Sequence, residues 1–308
     1  LLQRLLLYVK EKKMRWISKM KSMAVMMIPS LLLYTVFIIM PVFVTIYYSF
    51  MKFTGVGRPA FIGIRNYINL FRDPFFFTAL KNTCIILLMS AMILLPLSFL
   101  LALLLEKPFR GNGLCKAMVF SPYVIAPILV GVLWVFILDP SMGLINAFLK
   151  AVGLERFAME WIGGKTLTPY SVAVVYMWQV LGFYTTVFIA GLRQIPGEIH
   201  EAGQIDGAGK LQSIVYIVLP MLRETITIVV VLIITGSFKI FETVQQLTNG
   251  GPNHLSDVLV TYMYHITFTS NRYGYGMSIA TVTFIFAGIC SIIYLKNAGS
   301  RLKKGNDR

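Results

Sequence analysis

The sequence predicts an all-α, polytopic membrane protein, and this prediction depends on its composition and on the length of its apolar runs. Of its 308 residues, 57% are hydrophobic and only 13% are charged, with a mean hydropathy of +0.73. A soluble domain carries about 25% charged residues, with which it covers its surface. Several apolar runs of about 20 residues each are long enough for helices to cross a hydrocarbon core of about 30 Å. We therefore expect one bundle of about six membrane-spanning helices.

The net charge of +15 is better explained by membrane topology than by nucleic acid or another acidic ligand. The basic residues lie beside the apolar runs, where an excess of Lys and Arg marks the cytoplasmic side. The segment 1–21 holds Glu11 as its single acid among many basic residues, and the apolar run after it is too long for a signal peptide. We expect this segment to be a cytoplasmic flank. The cysteines lack CxxC spacing and are interpreted as packing residues rather than a disulfide or metal site. They are Cys84, Cys115 and Cys290.

The expected spans follow the apolar runs in order. They lie at about 23–50, 82–105, 117–138, 167–191, 226–244 and 276–295. The first contains Pro29 and Pro41, which membrane helices tolerate when neighbouring groups satisfy the freed carbonyls, so it should be tilted or kinked. Turn residues and aromatics at 51–78 indicate an external loop with an interfacial helix, whereas the basic turn 106–116 belongs in the cytoplasm.

Six spans place both termini on one side, and the larger share of Lys and Arg indicates the inside. The prediction is a multi-pass protein of a bacterial or archaeal cell membrane with its N and C termini in the cytoplasm. It divides into the flank 1–21, a membrane domain 22–296 and a basic tail 297–308.

The segment 196–220 is a polar interruption that this topology places in the cytoplasm. Pro196-Gly197-Glu198 predicts a helix start, and the glycines from Asp206 to Gly209 predict a break before a second amphipathic run that enters the membrane at Leu219-Pro220. Small residues let another surface approach the backbone, and the acids offer partners to a basic cleft. A solvated connector and a docking surface both remain open from these residues alone.

The same segment resembles the EAA loop of permease subunits in binding-protein-dependent ATP-binding-cassette importers. That pattern begins E-A-A, continues with D-G-A and closes with L-P. The matching positions are Glu201, Ala202, Gly203, Asp206, Gly207, Ala208, Gln212, Leu219 and Pro220. Gly203 replaces the second alanine, where a stronger helix former is expected. Arg223-Glu224 stands where relatives often have another proline.

Further motifs, in the same order as in the carbohydrate-uptake branch of that family, extend the resemblance over most of the chain from about residue 24. They are 61–67 (FIGIRNY), Asp73-Pro74, Asn82-Thr83, 143–146 (GLIN), 190–192 (AGL) and 247–252 (LTNGGP). The chain is similar to permeases of the maltose, multiple-sugar and glycerol-phosphate type. This implies a type I importer permease fold with a cytoplasmic coupling helix.

The resemblance also implies partners. Such a subunit forms a heterodimer with a second, related permease in the lipid bilayer, and both dock on a dimer of ATPases through their EAA helices. An extracytoplasmic sugar-binding protein delivers the substrate. The loop near the docked binding protein would comprise Asn249, Gly250, Gly251 and Pro252.

The motifs of an enzyme are incomplete in this sequence. Gly164-Lys165-Thr166 ends like a phosphate-binding loop, but Met159 occupies the position of its first glycine. ATP and magnesium are therefore expected on the partner ATPases, with no cofactor and no catalytic residue in this chain. His200-Glu201 opens like HExxH, but Gln204 replaces the second histidine. The remaining histidines, His254 and His265, are interpreted as surface or interfacial residues, so no metal site is expected.

Two sets of polar residues within or near the spans are candidates for the substrate pathway. In the fourth span Tyr170, Tyr176, Trp178, Gln179 and Tyr184 are interfacial anchors at its ends or cavity-lining residues at its middle. Lys239 and Glu242 have the i, i+3 spacing of one helix face, which fits a structural ion pair. The alternative is a pathway lining, because sugars need hydrogen-bonding groups beside an aromatic face. That lining would comprise Lys239, Glu242, Gln245 and Gln246 with Tyr184 or Trp178.

The predicted function is a non-catalytic permease subunit that forms half of the pathway of an ATP-driven sugar or oligosaccharide importer. The alternative is a self-sufficient, ion-coupled secondary transporter. That class needs carboxylates near the bilayer midplane, for which Glu242 is the only plausible residue.

Overall fold

The computed structural model describes residues 20–164 and 166–306. The helices of the first half are α1 (Met20–Tyr34), α2 (Met40–Ser49), α3 (Arg65–Leu70), α4 (Pro74–Met89), α5 (Leu95–Glu106), α6 (Asn112–Val124), α7 (Pro127–Leu138) and α8 (Leu144–Ala151). Those of the second half are α9 (Thr168–Leu192), α10 (Gly197–Ile205), α11 (Lys210–Ser213), α12 (Leu219–Met221), α13 (Arg223–Ser237), α14 (Glu242–Thr248), α15 (Leu259–Tyr264) and α16 (Tyr273–Asn306). Two short antiparallel strands, β1 (Met51–Lys52) and β2 (Ala60–Phe61), form a ribbon in the loop after α2. The predicted flank 1–21 lies almost wholly outside the described residues.

Helices long and apolar enough to cross a membrane account for most of the described chain. Four are continuous: Ala24–Ser49, Pro74–Glu106, Thr168–Leu192 and Tyr273–Ala298. Two more segments are long and apolar enough only when two helices that meet at a bend are counted together. They are α6 with α7, bent by 98°, and α11–α12 with α13, bent by 71°. If each bent pair is one span, the number of spans is the expected six. The second span begins at Pro74 instead of residue 82, because Asp73 caps the helix by accepting a hydrogen bond from the Phe75 backbone N–H.

Five-residue π-helical turns keep two proline-containing spans continuous. Such turns at Thr35–Ile39 and Ser90–Leu94 lie directly before Met40-Pro41 and Leu95-Pro96, and a third at Ile214–Val218 precedes Leu219-Pro220. Proline lacks an N–H and its ring crowds the carbonyl four residues earlier, so a wider turn relieves the clash without ending the helix. The expectation that the first span tolerates Pro41 is confirmed.

The third predicted span is broken at Ile125 and Ala126. Pro127 is the first residue of α7, and the residue before a proline avoids helical geometry. Ala126 accordingly has an extended ψ of 132°. Helix α6 therefore ends at Val124, and α7 leaves at the 98° angle.

The fifth span was expected at 226–244, and this end point is wrong. Helix α13 stops at Ser237, and α14 starts at Glu242. Between them Phe238 and Ile240 are buried in two different apolar clusters, whereas Lys239 is exposed. The chain turns here because its apolar side chains pack against different neighbours, which one straight helix would not permit.

Helix α9 lies at the centre of the bundle and contacts α4 to α7, α13 and α14. Glycines permit its closest crossings. A Cβ at Gly182 would overlap the backbone of Val119 and Phe120 in α6, and one at Gly191 would overlap the Thr225 side chain in α13. At the periphery, α2 packs on α16, whereas the side chains of the first span are mostly exposed.

Candidate functional site

The glycine turn of the EAA-like segment is a helix C-terminus of the Schellman type. Helix α10 ends at Ile205, and Gly207 follows in the left-handed region with φ of +79°. The N–H of Ala208 donates to the carbonyl of Gly203 at 2.9 Å, and the N–H of Gly207 donates to that of Gln204 at 3.1 Å. Both bonds satisfy carbonyls that the end of a helix leaves free. The predicted helix, glycine turn and second helix are confirmed.

The second helix begins immediately after this turn. The Gln212 side chain accepts a hydrogen bond from the backbone N–H of Gly209 at 2.9 Å, which fixes the start of α11. The chain then passes through the π-helical turn to Leu219-Pro220 and bends by 71° into α13 at Arg223. Arg223 and Glu224 thus form the first turn of α13.

Gly203 has a packing role that explains its departure from the family pattern. A Cβ at Gly203 would lie 2.5 Å from Cδ1 of Ile217 in the π-helical turn. The glycine therefore lets α10 lie directly against the segment that leads into α13. A stronger helix former would hold α10 farther from that segment or force Ile217 aside.

The outer surface of this loop carries exposed acids beside exposed apolar side chains. Glu201, Ala202 and Asp206 are exposed. Ile205 and Leu211 are 86% and 74% exposed, respectively. Two large apolar side chains thus lie exposed on either side of the glycine turn. Sequence reasoning missed Ile205 and Leu211, although two apolar residues flanking a polar glycine turn were a usable signal.

Gln179, in the middle of α9, joins the break in the third span to α14. Its side-chain amide donates to the carbonyl of Ile125 at 3.3 Å, and its Oε1 accepts from the Thr243 hydroxyl at 3.3 Å. Gln179 is buried, so it does not line an open cavity in this conformation. It satisfies a carbonyl that the broken helix leaves free, as non-helical backbone inside a membrane requires.

Two of the aromatic candidates, Tyr184 and Trp178, also pack inside the subunit, whereas Tyr170 near the start of α9 is exposed. Tyr184 is buried against Phe183, whose ring centroid lies 5.3 Å away. Trp178 packs edge-to-face against Trp134 at 5.3 Å. Both side chains fill the space around α9 in this conformation, so their place in a pathway stays a prediction.

Lys239 and Glu242 do not share a helix face, and the predicted ion pair is wrong. Lys239 lies after the end of α13, whereas Glu242 opens α14. Both are exposed, and the described part of the chain shows no salt bridge between them. The i, i+3 argument fails because the helix it assumed ends at Ser237.

Gln245 and Gln246 do lie together on α14. Gln245 donates to the Asn249 side chain at 2.5 Å. Gln246 packs where α7 approaches most closely, because a Cβ at Gly131 would lie 2.5 Å from the Cβ of Gln246. Helix α14 thus presents amides beside the second half of the broken span.

The loop from Asn249 to Pro252 is a tight turn that packs against the residues following it, Ser256 and Asp257. Asn249 ends α14 with φ of +47°, and Gly250 follows with φ of +71°. The Ser256 hydroxyl donates to the Gly251 carbonyl at 2.6 Å. A Cβ at Gly250 would overlap the Asp257 carboxylate, so only glycine fits there.

Helix α4 holds this loop through the Asn82-Thr83 motif. The Asn82 amide donates to the carbonyls of Leu255 and Asp257, both at 2.8 Å. The Thr83 hydroxyl accepts from the backbone N–H of Leu259 at 3.1 Å, at the start of α15. Asn82 and Thr83 were singled out in the sequence only because they match a family motif. The structure gives them a defined role in holding the loop.

Asp73 joins three helices in the same region. Its Oδ2 accepts hydrogen bonds from the Tyr262 hydroxyl in α15 at 2.5 Å and from the Tyr275 hydroxyl in α16 at 2.7 Å. Burial, together with the hydrogen bond to Asp73, raises the pKa of Tyr262 above its ordinary value. The Tyr262 phenol therefore stays protonated and donating at neutral pH.

The family model described as "Binding-protein-dependent transport system inner membrane component" matches residues 95–304. The chain belongs to this family. The match contains the whole of the EAA-like loop, the broken third span and the Asn249–Pro252 loop, whereas Asp73, Asn82 and Thr83 lie before it.

Named relatives extend the match over most of the permease. The chain is 33% identical over 268 residues to the probable ABC transporter permease protein YurN of Bacillus subtilis (strain 168). The alignment covers 86% of this chain and 92% of the relative. The chain is 28% identical over 279 residues to the diacetylchitobiose uptake system permease protein NgcF of Streptomyces coelicolor, covering 85% and 79% of the two chains. A solved bacterial alginate ABC transporter, in complex with its alginate pentasaccharide-bound periplasmic protein, contains a chain of the same fold. The TM-score is 0.74 at 24% identity, covering 94% of each chain.

His254 and His265 were expected to be surface or interfacial residues, and no metal site was expected. The structure places both residues half-buried, with their rings against the buried carboxylate of Asp257. Asn253 and His254 adopt positive φ and a π-helical turn starts at His265, so sequence spacing alone did not indicate this approach.

Proposed function

We propose that this permease forms half of the translocation pathway of an ATP-driven importer for a sugar or oligosaccharide. Its substrate arrives on an extracytoplasmic binding protein, and its partners are a second related permease and a dimer of ATPases. A relative named for the uptake of diacetylchitobiose and a structural neighbour involved in the import of alginate support the substrate class. The proposed orientation has both termini and the EAA-like loop in the cytoplasm, as the distribution of Lys and Arg indicates.

The observation that carries this proposal is the structure of the EAA-like loop. Its glycine turn is flanked by exposed acids and by the exposed apolar residues Ile205 and Leu211, and α10 packs at Gly203 on the π-helical turn that leads into α13. Such a surface is suited to a basic and apolar cleft on an ATPase. The proposed coupling residues are Glu201, Ala202, Gly203, Asp206, Gly207, Ala208, Leu219 and Pro220.

The packing suggests how motion would pass from this surface to the pathway. Closure of the ATPase dimer moves α10, and the Gly203–Ile217 contact transmits that movement to the π-helical turn before Pro220. Helix α13 continues from there and crosses α9 closely at Gly191 and Thr225. Helix α9 carries Gln179, which holds the break of the third span. A movement of α10 would therefore alter the spans without any chemistry in this chain.

The polar and aromatic candidates belong to the same proposal. Trp178, Tyr184, Lys239, Glu242, Gln245 and Gln246 would contact sugar in a conformation in which the helices around α9 have moved apart. The loop Asn249–Pro252 would contact the binding protein. A carboxylate buried at the centre of the bundle would favour an ion-coupled transporter, but Glu242 is exposed.

The test is Gly207→Val in the complete transporter, with its native partners, in proteoliposomes. An L side chain in the left-handed region costs about 1–2 kcal/mol, which lowers the population of the native turn about tenfold. We expect the amount of sugar taken up per ATP hydrolysed to fall by about that factor. Gly153→Val is the matched control, because Gly153 also has a positive φ, of +75°, and open space around its Cα, but lies after α8. Unchanged uptake in Gly207→Val, or an equal loss in the control, would contradict the proposal.

A second measurement addresses the class of transporter. The chain alone in liposomes, with an ion gradient and no ATPase, should move no sugar. Gradient-driven uptake under those conditions would identify a secondary transporter instead.

A further inference from the structure

Two histidines and one carboxylate converge beneath the loop that follows α14. His254 Nδ1 lies 2.6 Å from Asp257 Oδ2, and His265 Nδ1 lies 3.3 Å from the same oxygen. The three residues offer one ligand atom each, all within 4.8 Å of one another. Asn253 and His254 both adopt positive φ, so the loop folds back and returns the imidazole to Asp257. Chain segments on either side of Val258 thus contribute to one cluster.

The carboxylate in this cluster lacks a permanent positive partner. Asp257 has no exposed surface, and its ion-pair partners among the described residues are only the two histidines. Its second oxygen, Oδ1, is buried without a hydrogen-bond donor. A buried carboxylate is costly unless a positive charge lies beside it. Neutral imidazoles do not provide that charge, whereas a cation held between the three side chains would.

The donor atoms suit a particular class of cation. Two imidazole nitrogens and one carboxylate oxygen are the ligand set of zinc and similar first-row metals, whereas calcium and magnesium require mostly oxygen. Tetrahedral ligands at about 2.0–2.1 Å from such an ion lie about 3.3 Å from one another. The His265–Asp257 distance already has this value.

The approach to the cluster is open on one side. The His254 side chain is 34% exposed, whereas that of His265 is 13% exposed. A rotation of the more exposed ring would open the 2.6 Å contact enough for an ion to enter. Solvent beside His254 would supply the fourth ligand. The other sides are closed by Phe75 and Tyr262, whose rings pack edge-on against His254 at 5.2 and 5.6 Å.

We propose that His254, Asp257 and His265 bind one divalent transition-metal ion of the zinc class. The ion links the loop that begins at Asn249 to the π-helical turn at His265–Thr269. Asn82 bonds the carbonyl of Asp257, so the site is also anchored to α4. This site does not depend on the proposed transport function, and its test needs no transport measurement.

The test uses the complete transporter, stripped of metal with a chelator and held free of nucleotide. Cobalt(II) serves as the probe because its visible absorption reports nitrogen and oxygen coordination, and zinc is then added to displace it. We expect the wild-type complex to bind one more Co²⁺ per copy of this chain than the His254→Gln or His265→Gln variant. Loss of a direct ligand should weaken binding by more than about 100-fold, since even an outer-shell partner is worth about 10–100-fold.

His200→Gln is the matched control. It removes the one other histidine of the chain, which lies in α10 on a different part of the fold, and it should leave Co²⁺ binding unchanged. His254→Gln keeps the test decisive if His265→Gln fails to assemble, because His254 is the more exposed of the two. Equal Co²⁺ binding by the wild type and the assembled His254→Gln variant would overturn the proposal and assign the histidines to hydrogen bonding with Asp257.

Discussion

The side-chain amide of Asn82 lies 2.8 Å from the backbone carbonyl oxygen of Asp257, a residue 175 positions later in the sequence. The same amide bonds Leu255, so one side chain on α4 holds both ends of a short buried segment. This segment continues from the Asn249–Pro252 loop, which we propose contacts the binding protein. The position of that loop is therefore set by the second membrane span.

We predict that Asn82→Leu lowers the thermal stability of the assembled transporter. The substitution keeps the side-chain volume roughly constant but leaves the buried Asp257 carbonyl and the part-buried Leu255 carbonyl without this donor. The cost is about 1–3 kcal/mol for the buried oxygen and less for the other. A thermal-shift assay on the purified complex measures the effect. Asn69→Leu is the control, because Asn69 is exposed on α3 and its loss should change the melting temperature little. Equal melting temperatures for Asn82→Leu and the wild type would show that the two bonds contribute nothing.

We predict energetic coupling between Gly203 and Ile217 in the EAA-like loop. Alanine is more stable than glycine within a helix by about 0.5–1 kcal/mol, but Gly203→Ala places its Cβ 2.5 Å from Ile217 Cδ1. Ile217→Val removes that methyl group and hence the overlap. Gly203→Ala should therefore stabilise the Ile217→Val background more than the wild type, by up to about 1 kcal/mol, because only in the wild type does the overlap offset the gain in helix stability.

A double-mutant cycle on the melting temperatures of the purified complex measures this coupling. Independent residues give effects that add within about 0.3–0.5 kcal/mol. Additive effects at Gly203 and Ile217 would mean that α10 does not press on the π-helical turn, which would remove the proposed first step of coupling.

We predict that Gln179→Leu destabilises the transporter through the break in the third span. The substitution leaves the part-buried Ile125 carbonyl without this donor and the buried Thr243 hydroxyl without an acceptor. The expected cost is about 1–3 kcal/mol for the buried hydroxyl and less for the carbonyl. Gln194→Leu, at an exposed position in the turn after α9, is the control in the same thermal-shift assay.

The sequence was sufficient to predict the features that depend on neighbouring residues. It was not sufficient to predict those that depend on contacts between distant parts of the chain. The helix, glycine turn and second helix of the EAA-like loop depend on residues within a few positions of Gly207, and that prediction is confirmed. The end of the fifth span depends on Phe238 and Ile240 packing in different clusters, which an apolar run does not reveal. Lys239 and Glu242 therefore looked like helix neighbours although a turn separates them.

The hydrogen-bond partners of the polar residues also depend on distant contacts and could not be predicted from the sequence. Gln179 forms hydrogen bonds with Ile125 and Thr243, which are 54 and 64 residues away in the sequence. The local pattern of its own helix could not predict either partner. His254 and His265 are close in sequence, but Asn253 and His254 adopt the left-handed conformation and a π-helical turn starts at His265. Because irregular backbone and helix α15 both separate the two rings, their sequence spacing did not indicate that they would meet.

We predict that Gly182→Ala destabilises the transporter whereas Gly288→Ala does not. Both glycines lie within membrane-spanning helices, so alanine brings the same gain in helix propensity, about 0.5–1 kcal/mol. Only at Gly182 would the new Cβ overlap the backbone of Val119 and Phe120; at Gly288 it meets open space within the chain. Because backbone atoms cannot rotate away as a side chain can, α6 and α9 would have to separate, at a typical overpacking cost of about 1–3 kcal/mol. The melting temperature of the purified complex should therefore fall for Gly182→Ala and stay equal or rise for Gly288→Ala. A loss at Gly288 alone would indicate that another subunit packs against α16 at that point.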